Sequence, residues 1–486
     1  LGLWQNPESF FLSILLPYIG PIRGSEGRFG LFSTIFLPLK QQFIPLLLLN
    51  ALLLLNVYSN LICVLENQKQ ITINFNKMKS FNKSIVLSIS FLSIVTLTCR
   101  AQDWPQWRGV NRDGKVTGFA APQTWPQQLS QTWKITVGFG DATPALVNNK
   151  LYVFTRQGND EILQCIDASS GKQLWQSAAY PTIDVTGPPS THPGPRSSVA
   201  VAEGNIVTLG VAGDIACFDA SSGKLQWRNE DYKGAVPQFF TGMSPLINSG
   251  ICYAHLGGPD TGHFMAFDLS TGAIKWKVDG EGPAYGSPVL MTVDNAKQIV
   301  FQAQSKLISF NLSDGKQLWE YPTPVGTGRV QNATSPVVDQ NIVYFTGLNN
   351  GFNAIEIKKE GDKFVVNKLW TNPDFSTGYS TPLLKDGFLY GLSNRNRLFC
   401  INANTGQTAW ADETVLQNFG SIVDAGLVII VLTSNSNFVV LKPDGQKYNQ
   451  VTLIKLSETG IYAHPVVSGK RIFIKDNETL TLFTIN

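Results

Sequence analysis

Two residues ahead of each of eight recurring inner-strand openings stand Asp141, Arg196, Gly242, Tyr285, Ala333, Tyr379, Phe419 and Tyr462. Aromatic rings beside one carboxylate and one guanidinium make a chemistry of recognition. The rings can stack on a planar or sugar-like ligand while the polar groups fix its orientation. Neighbouring loops add His192, Arg329, Asn332 and His464. Equivalent positions of a closed ring of repeats converge on its axis, so the spacing predicts a funnel lined by these side chains. The competing reading is that they only plug a central channel.

Other chemistries are thinly represented. The four histidines, 192, 255, 263 and 464, have no metal-ligand spacing on a single strand. His255 and His263 flank a loop containing Asp260 and are expected as two solvent-side hairpin residues. Gly138-Phe139-Gly140 and Gly326-Thr327-Gly328 lack the lysine and following helix of a phosphate loop and read as turns between repeats. Of the cysteines after residue 101, Cys165, Cys217 and Cys400 share one repeat position, and Cys252 stands apart. Equivalent positions on different blades exceed the roughly 7 Å Cα limit for a disulfide, so all four read as small buried hydrophobes, neither bridged nor metal-binding. A formal charge of +3 with no basic block argues against nucleic acid as a partner.

The elements that would position the funnel are legible as a tandem repeat. Asp167, Gly171 and Trp175 return as Asp219, Gly223 and Trp227 and again as Asp268, Gly272 and Trp276, with weaker copies at Asn311 to Trp319 and Asn402 to Trp410. Trp-to-Trp spacings of roughly 40 to 52 residues match four-stranded propeller blades. Within each copy the Asp or Asn starts a tight turn by accepting from backbone N–H groups, the Gly supplies positive φ, and the Trp packs on the neighbouring blade. Inner strands open at Thr143, Ser198, Ser244, Ser287, Ser335, Thr381, Ser421 and His464, usually before Pro. Eight openings predict an all-β, eight-bladed propeller of four-stranded antiparallel blades. The eighth copy has residues for three strands, so Gln131 to Val137 is expected to complete it, closing the ring with the N-terminal strand on the C-terminal blade. With 43% hydrophobic and 15% charged residues, 43 Gly and 26 Pro, the composition suits such a turn-rich β protein.

The repeat Cys217-Phe-Asp-Ala-Ser-Ser-Gly-Lys-Leu-Gln-Trp227 resembles that of the pyrroloquinoline quinone (PQQ)-like propeller superfamily. Asp103-Trp-Pro-Gln-Trp-Arg-Gly-Val-Asn-Arg-Asp-Gly114 resembles the N-terminal segment of its secreted bacterial members. The resemblance covers residues 103–486 and implies either of two functions. One is a non-enzymatic binding or scaffolding module, as in the outer-membrane assembly propeller, with a protein or carbohydrate at its rim or funnel and no cofactor. The other is a quinone-dependent alcohol or sugar oxidoreductase using PQQ and calcium, in which Arg196 or Arg329 would pair with quinone carboxylates and Asp141 would act as base or calcium ligand. The dehydrogenases' adjacent cysteine pair and a haem-attachment motif are missing from this sequence, so no catalytic residue is carried over and the module is preferred.

Residues 1–77 contain no Met and none of the repeat, and they read as an upstream mistranslation or a hydrophobic, disordered extension. The alternative is a membrane span from Phe43 to Leu65, interrupted by Pro45. Residues 78–101 have the order of a secretory signal peptide: Met78-Lys-Ser-Phe-Asn-Lys83, an apolar run from Ile85 to Leu97, and Cys99-Arg-Ala101 before Gln102. This implies a periplasmic or secreted, monomeric propeller over 102–486 with no membrane span in the mature chain; lipid anchoring at Cys99 is disfavoured by Leu97 at the wrong offset. A chain begun at Met78 should be exported and cleaved before Gln102, read by N-terminal sequencing. Mature protein retaining residues 1–77 would overturn this reading.

Overall fold

The structure, a computed structural model, describes residues 102–323, 332–348, 350–417 and 419–485. The expectations for residues 1–101, for Arg329 and for Gly326 to Gly328 lie outside them. Eight antiparallel sheets follow one another along the chain, seven with their strands hydrogen-bonded in sequence order and the eighth completed by an N-terminal strand. The second blade is representative: Ala200–Ala202, Asn205–Leu209, Ile215–Asp219 and Leu225–Asn229. In the first blade a short piece, Tyr180–Pro181, adds a fifth strand by pairing with Asp160–Asp167, which the repeat pattern did not predict. The fifth blade carries the enlarged hairpin, Phe352–Glu360 with Lys363–Asn372. Among the described residues no helix is long and apolar enough to cross a membrane.

The middle strands are buried on both faces, as in Ile429–Thr433, while outer strands such as Gln173–Gln176 are largely exposed. Each outer strand carries a bulge that the sequence does not announce. The register slips by one residue just before Trp133, Trp175, Trp227, Trp276, Trp319, Trp370 and Trp410, and at Val451 in the seventh blade. A bulge bends the strand and re-aims the next side chain, here the indole, toward the neighbouring blade. There it lies over the turn glycine: a Cβ on Gly171 would stand 2.9 Å from Trp133, and one on Gly272 2.7 Å from Trp227. Gly171 and Gly272 also have φ of 73° and 74°, so space and backbone conformation exclude a side chain together.

Indole N–H groups then donate to the neighbour's turn carbonyls: Trp133 to Ala168 (3.2 Å), Trp227 to Leu269 (2.8 Å) and Trp370 to Ala403 (3.0 Å). Trp319 uses Gln298 of its own blade, because the next blade has a long hairpin where the turn would be. The turn aspartates are local caps as expected. Asp219 Oδ1 accepts from the backbone N–H groups of Ser221 and Ser222 and from both hydroxyls, and these hydroxyl bonds hold its carboxyl down at about 2.

Closure follows the predicted route. Ser130–Thr136 pairs antiparallel with Thr479–Thr484, completing the eighth blade. The largest apolar cluster runs across this junction and joins Leu146 and Ile166 of the first blade to Phe438 of the seventh and Phe473 of the eighth. Trp133 is half-buried, packs 6.0 Å from Phe473 and caps Gly171, so it ties both chain ends to the first blade. Trp133→Ala should cost about 3 kcal/mol, the low end for a core Trp, measured as a fall in the denaturant midpoint. A change below 0.5 kcal/mol would mean that closure does not depend on this contact.

Candidate functional site

The funnel is built on a chain of hydrogen bonds between inner strands. Ser198 Oγ accepts from Thr143 N at 3.0 Å, Ser244 Oγ from Ser198 N at 2.9 Å, and Ser287 Oγ from Ser244 N at 3.0 Å. Ser335 Oγ then accepts from Ser287 N at 2.7 Å and Thr381 Oγ1 from Ser335 N at 3.1 Å, while Thr143 Oγ1 accepts from His464 N at 3.0 Å. Six small hydroxyls therefore satisfy the backbone of the blade before them. The eight residues two places earlier are raised one step toward solvent, and none of them is buried.

Five of the sequence-predicted site residues form an arc of ring and polar contacts there. Tyr379 and Phe419 stack face to face, with centroids 4.1 Å apart and planes at 6°. Tyr462 meets Phe419 edge-on at 5.5 Å and His192 at 4.6 Å. His192 sits at the C-terminal end of the 3-10 turn Pro188–Thr191, with Nδ1 2.9 Å from Asp141 Oδ2, close but poorly aligned for a hydrogen bond. Arg196 donates to the carbonyls of His192 (2.8 Å) and Pro189 (3.4 Å), and burial lowers its pKa against the opposing pull of Asp141. Across the mouth the Tyr285 hydroxyl accepts from Phe239 N at 3.0 Å. Gly242 and Ala333 leave the positions flanking Tyr285 small.

Asn332 and His464 are built into the wall. The Asn332 amide donates to Gln304 O at 2.9 Å and to Thr323 Oγ1 at 3.0 Å, and His464 is 8% exposed. His464 lies edge-on to Trp107 at 5.4 Å, which introduces the residues that sequence reasoning missed. Residues 102–116 run through the channel. Trp104 exchanges backbone hydrogen bonds with Leu146 of the first blade, Pro105 O accepts from Val201 N of the second, and Asp424 of the seventh bonds Gly114 and Val116. At the tip, Arg112 donates to the carbonyls of Ser244 (2.9 Å) and Pro245 (2.8 Å), and Arg108 to those of Thr381 (3.1 Å) and Pro382 (2.9 Å). By register these carbonyls lie just below the mouth, so the segment is a plug that seals the funnel floor. Its signal in the sequence was two Trp and two Arg within nine positions, ahead of any repeat. Nothing in the repeat period could say where they dock. Burial lowers Arg108 to about 10 and Arg112 to about 9, so both remain cations at neutral pH.

The other histidine expectation is corrected in part. His255 is 3% exposed, with its ring stacked on Phe264 at 3.8 Å and Nε2 3.0 Å from Glu281 O, so it is a core residue. His263 does lie at the surface side, 2.6 Å from Asp279, and Asp260 is exposed apart from both. All four described cysteines are buried and free. Burial lowers His255 and His464 from 6.5 to about 3. Their folded forms exclude a proton that the unfolded chain binds below pH 6.5, so stability is complete above that pH and falls as pH drops toward 3. His464→Gln should weaken this dependence by about tenfold per pH unit in the unfolding constant between pH 6 and 4, measured by denaturant titration; an unchanged slope would contradict a neutral buried imidazole.

Comparison with known proteins agrees with this architecture. Residues 159–412 match the PQQ-like family model described as outer membrane protein assembly factor BamB. The chain is 23% identical over 366 residues to the BamB of Yersinia pestis, covering 71% of this chain and 86% of that one. It is also 23% identical over 369 residues to the quinohemoprotein alcohol dehydrogenase ADH-IIG of Pseudomonas putida, covering 70% of this chain and 47% of the enzyme. A europium-containing methanol dehydrogenase superposes with a TM-score of 0.61 at 13% identity, over 79% of this chain and 98% of that one, which speaks to the fold alone. With eight repeat-built blades and a family match spanning more than half its length, the chain belongs to the PQQ-like β-propeller family of the assembly factor BamB.

Proposed function

We propose that the protein is a secreted or periplasmic, monomeric, non-enzymatic binding module that engages a protein segment or a carbohydrate at the funnel mouth and its adjoining loops. The observation that carries this reading is the state of the polar groups at the mouth. Arg196 commits one guanidinium nitrogen to carbonyls, Asp141 is held against His192, and Tyr285 is bonded to Phe239 N, while the arc of Tyr379, Phe419 and Tyr462 keeps ring surface at the mouth. Such a surface recognises by stacking and shape, with few polar groups to orient a reacting atom. The name of the family model, an assembly factor, favours a protein partner over a carbohydrate.

The quinone-dependent reading does not fit the donor set. Calcium takes six to eight oxygen ligands, whereas among the described residues no three of His, Cys, Asp and Glu gather as metal ligands, and Asp141 is the only carboxylate in the ring of eight mouth positions.

The test is calorimetric titration of the chain from Gln102 onward with extended aromatic-rich peptides, with oligosaccharides, and with PQQ plus calcium. Tyr379→Ala and Tyr462→Ala should each weaken peptide or saccharide binding by about 0.5 to 1.5 kcal/mol through lost ring contact, while Trp276→Ala should lower stability and leave affinity unchanged. Micromolar PQQ binding that Arg196→Ala abolishes, accompanied by dye-linked alcohol oxidation, would replace this reading with the enzymatic one.

A further inference from the structure

Beneath the loop that carries His192 and Arg196, the first and second blades share a buried polar cluster that the funnel does not use. Glu161, in Asp160–Asp167 of the first blade, is 0% exposed and reaches across the seam, where Oε1 accepts from Val211 N at 2.8 Å. Asp214, 1% exposed, lies in the hairpin between Asn205–Leu209 and Ile215–Asp219. A Cβ on Gly210 would stand 2.5 Å from Glu161 Oε2 and 2.5 Å from Asp214 Oδ1, so the two carboxyl groups are at most twice that distance apart. Gly210 has no positive φ to require glycine; the space taken by the two acids requires it.

The charges in this cluster do not balance as two carboxylates. Arg228 Nε is 3.8 Å from Asp214 Oδ2, and its guanidinium lies 3.7 Å over the Tyr180 ring. Arg156, paired in register with Glu161, turns its guanidinium to the carbonyls of Gly158, Ile183 and Pro193 and toward the exposed Asp184. Glu230 and Lys233 beyond Arg228 pair with each other at the surface. Arg228 is therefore the one cation within ion-pair distance of the two buried acids among the described residues, and Arg156 acts on Glu161 only from farther away. Glu161 Oε2, Asp214 Oδ2 and the hydroxyls of Tyr180 and Thr208 are all buried without a hydrogen-bond partner among the described residues. An ionised carboxylate left so is costly, and two acids in one dry site cannot both ionise.

We infer that Glu161 is held as a neutral carboxylic acid that donates its proton to the Asp214 carboxylate, and that this shared proton pins the first blade to the second beneath the funnel loop. The proton leaves Asp214 ionised opposite Arg228, and the cluster becomes neutral. A divalent cation in the same place would instead leave a net positive charge beside the Arg228 guanidinium. Burial pushes Glu161 up to about 8, with Asp214 adding to the shift and Val211 N, the Tyr180 hydroxyl and the Arg156 charge opposing it. Between the ordinary value of 4.5 and about 8 the folded state keeps a proton that the unfolded chain has released. Stability from this group is thus complete below pH 4.5 and is lost as pH rises to about 8. The seam opens onto Tyr180–Pro181, which leads into the loop bearing His192 and Arg196, so alkalinity would loosen the support of the mouth.

Between pH 6.5 and 7.5 the histidines of the unfolded chain still release protons and Lys475, lowered by burial to about 8, begins to titrate, so Glu161 is isolated by comparing the wild type with its variant. In denaturant unfolding of the chain from Gln102 onward, the wild-type unfolding constant should rise about tenfold more across that unit than that of Glu161→Gln, which mimics the neutral acid. Equal slopes in both proteins would overturn the inference. Infrared spectra of the wild type give a second readout that needs no variant: a protonated-carboxyl band at pH 6.5 that fades by pH 9 supports the shared proton, and its absence at pH 6.5 refutes it. A calcium- or magnesium-dependent rise in Tm that Glu161→Gln removes would also refute it, since a metal would then balance the acids.

Discussion

Everything at the centre of this molecule depends on one repeated contact, the small hydroxyl that accepts a hydrogen bond from the preceding blade's backbone. From Thr143 round to Thr381 five such bonds run without interruption, all of them buried. A larger residue would push adjacent strands apart, and one without an acceptor would leave a buried N–H unsatisfied. The link therefore sets how closely the inner strands approach and hence where the residues two places earlier must stand. Between the sixth and eighth blades the pattern fails. Gly420 N turns to Ser380 Oγ, Ser421 Oγ is buried without a partner among the described residues, and His464 occupies the hydroxyl's place. The plug meets the ring at this weak sector: Arg108 on the sixth blade, Gly114 and Val116 on Asp424 of the seventh, and Trp107 against His464 of the eighth. The segment that seals the floor also replaces the missing inter-blade bonds.

A second set of contacts performs the same task at the circumference. The bulge turns each indole onto the next blade's turn, and the turn's Asp or Asn holds the loop shape that leaves glycine beneath the ring. These parts are interdependent. A straight outer strand would aim Trp227 elsewhere, and a side chain at Gly272 would collide with it. Where one part changes, the others adjust: Tyr152 takes the carbonyl of Ala220, and Trp175 Nε1 is left without a partner among the described residues. Neighbouring blades are thus joined at the axis by hydroxyls and at the rim by tryptophans, and the apolar middle strands fill the space between.

Much of this was legible because repetition multiplies weak signals. Seven hydroxyl openings with His464 as the eighth, the Asp-Gly-Trp turns and the short eighth copy implied blade count, strand order and the closing role of Gln131 to Val137. The axial ring followed from symmetry, and Asp141, His192, Tyr379, Phe419 and Tyr462 do form one contiguous arc. What repetition could not supply is anything that occurs once. The docking of Trp107, Arg108 and Arg112 has no counterpart in any blade, so no period predicted it. His255 reads as a loop residue by its neighbours and is buried because Phe264 and Phe301 pack around it. The Glu161–Asp214 seam joins a strand residue of one blade to a hairpin residue of the next, each ordinary in its own local sequence. Tertiary accidents of this kind carry no local pattern, and they are where chemistry departs from scaffold.

The plug also fixes the electrical character of the mouth. Arg108 and Arg112 keep their charge, and neither has a carboxylate within ion-pair distance among the described residues; carbonyl oxygens alone hold them. Arg196 adds a third guanidinium near the opening, and Asp141 is the one acid in the ring. Charges in a partly dry funnel interact more strongly than they would in water. Because the same guanidinia hold the third and sixth blades together, the sign of the field cannot be altered without loosening the ring.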